Sequence, residues 1–151
     1  MLAAPEILER RLPLALAVLR MSLGVFLLLW SVEKFVIPET TVSIWKAFYL
    51  MEIGNTIPYA IGAVEAAFSL ALILGLWRTW VYGLAVVLHG ISTLSSWKQL
   101  IDPWGLIFDT RPNHLFLAGV PVLAAFVVLF LLRDWDRWSL EGRPGARKVE
   151  G

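Results

Sequence analysis

Arg20, Glu65 and His89 are the ionisable side chains that lie deepest within apolar runs of this sequence, and any chemistry carried out there would begin with them. A charged side chain at the centre of a bilayer costs about 2.5–3.5 kcal/mol on insertion scales, so such groups must face protein or water rather than lipid. Their neighbours fall on helical stripes. Arg20, Gly24, Leu27, Ser31 and Lys34 recur at intervals of 4, 3, 4 and 3, which puts them on one face of a helix. Gly62, Glu65, Ala66 and Ser69 make a comparable small and polar face, and His89, Ser92, Thr93 and Ser96 make a third. Glu65 is eight residues in from Ile57 and His89 eight in from Trp97, so both sit about 12 Å below one surface at 1.5 Å per residue. Arg20 is twelve residues from Val32, about 18 Å deep, and its long arm is expected to reach Glu65. Arg20, Lys34, Glu65, His89, Ser92 and Thr93 therefore form the candidate polar core. It either fixes which helices pack together or binds a polar ligand or proton-linked carrier from the outer face.

Other chemistries find too few donors. The chain has no cysteine, which excludes disulfides, thiolate nucleophiles, iron–sulfur clusters and a CxxC redox pair. Haem would need His89 and His114 on opposite sides of one iron. His114 opens an apolar run and His89 lies within another, an axial mismatch of about 12 Å, so haem is not expected. A zinc or copper site has too few ligands, with two histidines at different depths and no thiols. A net charge of +1 offers no basic face for nucleic acid.

The elements that position these residues follow from composition. Of 151 residues, 58% are hydrophobic and 17% charged, and the mean hydropathy is +0.71. A water-soluble domain this small would expose apolar patches large enough to aggregate, whereas lipid accommodates them. Apolar runs at 12–32, 57–77, 79–97 and 114–132 are each long enough to cross a hydrocarbon core of about 30 Å. Backbone groups cannot go unpaired in lipid, so an all-α, four-helix integral membrane bundle is predicted, forming one domain over 1–151. The first run is too long for a signal peptide, carries Arg20, and precedes no small-residue cleavage pattern. Arg78 all but alone joins the second and third runs, which makes a tight hairpin.

Lys and Arg accumulate on the cytoplasmic side. Placing both termini there gives that side Arg10, Arg11, Arg78, Arg133, Arg137, Arg143, Arg147 and Lys148, against Lys34, Lys46, Lys98 and Arg111 outside. In the first outer loop Val42, Trp45, Phe48 and Tyr49 follow Thr40-Thr41 at helical spacing, which predicts a short helix on the outer membrane surface. Glu33, Lys34, Trp45, Trp97, Asp102, Trp104, Asp109 and His114 share that side, either as an interface belt or as the mouth of an amphipathic pocket. Asn113 is placed to cap the fourth helix, tryptophans cluster near span ends as aromatic belts, and 139–151 reads as a flexible cytoplasmic tail.

From Arg20 to Phe35 the pattern R-x-x-x-G-x-x-x-L-x-x-W-x-x-E-K-F, followed by Pro38, resembles the opening signature of the DoxX-like family of four-span membrane proteins. Glu65 and the Leu74-Gly75-Leu76-Trp77-Arg78 ending of the second span resemble that family's second helix and L-G-L-x-[TR] turn. The likeness covers roughly residues 14–132, with its specific motifs in the first two spans. It implies a prokaryotic cytoplasmic (inner) membrane location and work beside redox enzymes, since some relatives are subunits of quinone-linked thiosulfate oxidoreductases. Arg20, Lys34 and Glu65 match the family's polar positions, whereas Ser31 stands where many relatives have glycine. Without cysteine there is no thiol for sulfur transfer. The expected role is an accessory subunit of a membrane redox complex, in contact with membrane lipid and quinone. The alternatives are a quinone-linked oxidoreductase in its own right, with Glu65 and His89 handling protons, and, ranked last, a small transporter.

Overall fold

Ala4–Val36 forms one continuous helix, α1, interrupted neither by Arg20 nor by Pro13. Beyond its charged first turns its outward side chains are mostly apolar: Val18, Val25, Leu29 and Val36 are exposed. The computed structural model describes residues 4–108 and 113–142, and Asp109, Arg111 and the tail beyond Gly142 lie outside these. After α1 come α2 (Pro38–Phe48), α3 (Ile57–Leu74), α4 (Arg78–Ser95) and a short α5 (Trp97–Ile101). A 3-10 turn at His114–Ala118 then leads into α6 (Gly119–Leu131). There is no strand among the described residues.

Among the described residues three helices are long and apolar enough to cross a membrane: Leu8–Val36, Ile57–Leu74 and His114–Leu131. Only 33%, 22% and 11% of their most apolar stretches are buried inside the bundle. The remaining apolar surface needs a non-aqueous surround, which is the lipid the composition demands. The sequence predicts four apolar spans, and α4 departs from that. It has the 18 residues of α3 but carries His89, Ser92, Thr93 and Ser95 along its last turns, so it is less apolar. Of these, His89 and Thr93 meet Gly119 at the start of α6, whereas Ser92 stays exposed.

α1 runs antiparallel to α3 in close contact, and α4 packs along α6. Glycines set the first seam. A Cβ on Gly24 would collide with the Ile73 side chain and lie 3.2 Å from its backbone nitrogen, and one on Gly62 would lie 2.8 Å from Phe35 and 3.1 Å from the Ser31 carbonyl. Gly24 thus permits the close approach its place on the polar stripe predicts. Leu72, Tyr82, Phe126 and Leu129, all fully buried, form the core that joins the two helix pairs.

The α3–α4 turn is as tight as predicted. Gly75 ends α3 at φ +67 and donates to the Ala71 and Leu72 carbonyls, and Trp77 takes a second left-handed conformation before α4 begins. The tail does not begin as the flexible segment expected from residue 139. Ser139 is fully buried and Leu140 N–H donates to the Leu74 carbonyl at 2.9 Å, because the last turn of α3 leaves carbonyls that need donors. Asn113 caps the turn into α6 as predicted, accepting from Leu115 N–H at 3.0 Å. The helix predicted in the first loop is present, but it starts at Pro38, whose fixed φ suits a first helical position.

Asp102 organises the loop after α5. Its carboxylate accepts the backbone N–H groups of Leu106, Ile107 and Phe108 at 2.8, 2.6 and 2.9 Å. Burial by itself would raise the Asp102 carboxyl, but the amides of Phe108, Ile107 and Leu106 outweigh it and hold the group below the usual carboxylate range. The stabilisation is therefore present above the unfolded value of about 3.9 and is lost as pH falls through the lower folded value. Hydrogen exchange should show protected amides at 106–108 at neutral pH, and this protection should disappear in strong acid and in Asp102→Ala. On the α1–α3 seam, Gly24→Ala should cost about 1–3 kcal/mol by overpacking. It should lower the unfolding midpoint in detergent, while Gly54→Ala, with nothing within 4 Å, should leave it unchanged.

Candidate functional site

The polar residues on α1 separate into two centres at opposite ends of the bundle. Lys34, in the last turn of α1, places its ammonium 2.7 Å from Glu65 Oε2 and donates to the Trp30 carbonyl at 3.2 Å. Arg20 does not reach Glu65. Its Nε lies 2.9 Å from Asp136 Oδ2, and its Nη atoms donate to the carbonyls of Ile73 and, at 3.2 Å, Trp138. The predicted Arg20–Glu65 pair is thus replaced by two others, and the reason is register. α1 continues to Val36 rather than ending at Val32, so Arg20 is about 24 Å from that end while Glu65 is about 12 Å from the start of α3. A gap of about 12 Å exceeds the reach of one side chain.

The Arg20 end is a clasp. Asp136, fully buried, also accepts from the Tyr82 hydroxyl at 2.6 Å. Ser139 Oγ donates to the Asp136 carbonyl at 2.8 Å. Arg78 donates through Nη1 to the Arg133 carbonyl at 2.6 Å and to the Asp136 carbonyl at 3.2 Å, and its backbone N–H donates to Glu141 at 2.6 Å. A Cβ on Gly75 would collide with Ser139, so glycine at this turn also makes room for the docked segment. These bonds tie residues 133–142 across the α3–α4 turn and onto α1. Asp136 was the residue missed from sequence. It follows a span in a run of juxtamembrane charges, and the signal that marks it is the need of a buried Arg20 for a counter-charge.

At the other end the two helix pairs diverge and enclose a cavity of about 540 Å³. α1 contributes Phe26, Leu27, Trp30, Glu33 and Lys34, and α3 contributes Ile61, Glu65, Phe68 and Ser69. α4 supplies Leu88, His89 and Ser92, with the serines of its last turns. α2 forms the roof: Thr41, Ile44, Trp45 and Phe48 turn inward, and the Phe48 ring meets Phe116 with centroids 5.3 Å apart. The apolar face that predicts a helix on the membrane surface is directed onto this cavity. Within the ion pair the Lys34 side chain is only 11% exposed and the Glu65 side chain 40%, so the carboxylate is the partner presented to the cavity.

His89 stands between the ring of Phe26, at 6.1 Å, and that of Phe126, at 5.3 Å. Its Nε2 is 3.2 Å from the Gly119 carbonyl. A carbonyl can only accept, so Nε2 carries the proton and Nδ1 is left as an acceptor in the neutral ring. Of the six predicted residues, the cavity brings together Lys34, Glu65, His89 and Ser92. Arg20 belongs to the clasp, and Thr93 is buried on the other side of α4, where it would meet any side chain placed at Gly119. Glu33 and Trp45 line the cavity, whereas Asp102 braces its own loop and His114 packs against Trp104 at 6.3 Å. Among the described residues no three His, Cys, Asp or Glu side chains converge as a metal set.

The model of the DoxX family matches residues 15–95, more than half of the 151-residue chain. The chain belongs to the DoxX family. The matched segment runs from Ala15 in α1 through the end of α4, so it holds Glu33, Lys34, Glu65, His89 and Ser92 of the cavity and the Arg20 half of the clasp. Asp136 lies beyond it. Comparison with curated proteins and with solved structures returns no match. The DoxX segment thus carries the α1, α3 and α4 walls of the cavity and its α2 roof, and Phe116 of the turn before α6 completes the lining.

Removing Asp136 would leave the Arg20 guanidinium buried without a counter-charge, which costs about 3–5 kcal/mol. Asp136→Ala should therefore yield a DoxX protein with a strongly lowered unfolding midpoint, measured by heating in detergent followed by size-exclusion recovery. Glu33→Gln, at a half-buried carboxylate with no ion pair, should match the wild type.

Proposed function

We propose that this DoxX protein is an accessory subunit of a membrane redox complex and that its cavity holds the ring of a quinone-class lipid. The observation that carries the reading is the composition of the cavity. Aromatic rings from α1, α2 and α3 surround an ion pair and a histidine within about 540 Å³. That volume lies in the range of small-molecule sites, about 300–1,000 Å³, which combine apolar walls with a few placed polar groups. A ring with a polar edge and an isoprenoid tail meets both requirements, the tail continuing into lipid.

The excess of Lys and Arg at the clasp end, Arg10, Arg11, Arg78, Arg133 and Arg137 among them, supports placing both termini in the cytoplasm of a cell with an inner membrane. The cavity then faces the outer half of the bilayer. Toward the clasp, Leu72, Tyr82, Phe126 and Leu129 pack at 0% exposure, which favours binding over passage through the bundle.

The test is the lipid content of the protein extracted from its own membranes into nanodiscs. Mass spectrometry should find a quinone retained at near one per chain, together with a copurifying redox subunit. Ser92→Trp, which fills the cavity with an indole, should reduce the quinone at least about tenfold while the protein stays folded and monodisperse. A wild-type protein that is free of quinone and takes none up when it is supplied would overturn the proposal.

A further inference from the structure

The hydrogen-bonding state of the cavity's polar groups selects between the two redox forms of such a ligand, and this inference rests on the ring-binding reading above. Most strong donors are already committed. Two of the three Lys34 protons go to Glu65 and the Trp30 carbonyl. His89 directs its Nε2 proton to the Gly119 carbonyl. The hydroxyls of Ser69, Ser95 and Ser96 donate to helix carbonyls of Glu65, Ser92 and Thr93.

The free charged groups are acceptors. Glu65 has one oxygen on Lys34 and the other uncommitted, and Glu33, half-buried at the cavity wall, has no ion pair. With Lys34 as the one cation, Glu33, Glu65 and Lys34 sum to −1. Beyond the third Lys34 proton, the donors that remain, such as the Ser92 hydroxyl and indole N–H groups, are neutral. An O–H donated to a carboxylate is roughly twice as strong as a neutral–neutral bond. A quinone carbonyl can only accept, while a quinol presents two O–H donors.

We infer that the cavity binds the reduced, dihydroxy form of its ring ligand in preference to the oxidised form, with Glu65 and Glu33 accepting the hydroxyl protons. The site is thereby selective for a neutral donor head and disfavours anionic amphiphiles, whose charge would meet the free carboxylates.

The experiment uses the full chain in nanodiscs of zwitterionic lipid and decylubiquinone as the probe, titrated anaerobically to its quinol in the presence and absence of the protein. A tenfold preference for the quinol raises the midpoint of the bound two-electron couple by about 30 mV. Equilibrium binding of each form alone should show the same tenfold ratio, and Glu33→Gln should narrow it with the unfolding midpoint unchanged. Equal affinity for both forms, or tighter binding of the quinone, would overturn the selectivity and leave the ring-binding reading standing. Binding of neither form would remove both.

Discussion

A cation inside a lipid-surrounded helix bundle must find an anion on another element, and α1 carries two such cations about 21 Å apart along its axis, Arg20 and Lys34. Each is answered from a different direction. Asp136 reaches Arg20 from the segment after α6, and Glu65 reaches Lys34 from α3. The two pairs pin α1 at two levels, and most of the fold can be understood as what happens between and around them. Glycines at 24 and 62 let α1 and α3 close along the seam. The docked segment 133–142 holds α3, α4 and α6 together at one end.

The pairs differ in what surrounds them. Arg20 and Asp136 are sealed, joined by their ion pair and by bonds to Tyr82 and to the Ile73 carbonyl, while Asp136 Oδ1 and the Nε atoms of Arg78 and Arg133 carry no hydrogen bond among the described residues. Such an arrangement registers elements against one another. Lys34 and Glu65 meet where the helix pairs separate, so the carboxylate faces open volume lined by rings. That half-exposed carboxylate is the group that the proposed ring ligand would meet. α2 adds to the contrast by covering the opening with Ile44, Trp45 and Phe48.

Much of this was legible in the residues. Apolar runs and helix spacing predicted α1, α3, α4 and α6, the tight turn at Gly75 to Arg78, the cap at Asn113, and the stripes on which the deep polar residues fall. What could not be read was the level of one stripe against another. Ending α1 at Val32 instead of Val36 shifted Arg20 by four residues, about 6 Å, and that shift alone made Glu65 seem within reach. Hydropathy does not mark a helix end when Glu33 and Lys34 continue the helix past the apolar run. Asp136 escaped for a related reason: a carboxylate just beyond a span reads as solvated unless the chain is known to fold back. Thr93 shares its stripe with Ser92, yet a rotation of one residue, about 100°, puts it against Gly119 and away from the cavity.

Double-mutant cycles on thermal or denaturant unfolding in a single detergent test the partition of charges most directly. Arg20 with Asp136, and Lys34 with Glu65, should each show coupling well above the additivity limit of about 0.3–0.5 kcal/mol, while Arg20 with Glu65 should be additive within it. Strong coupling between Arg20 and Glu65, with none between Arg20 and Asp136, would contradict the arrangement on which both the clasp and the open cavity depend.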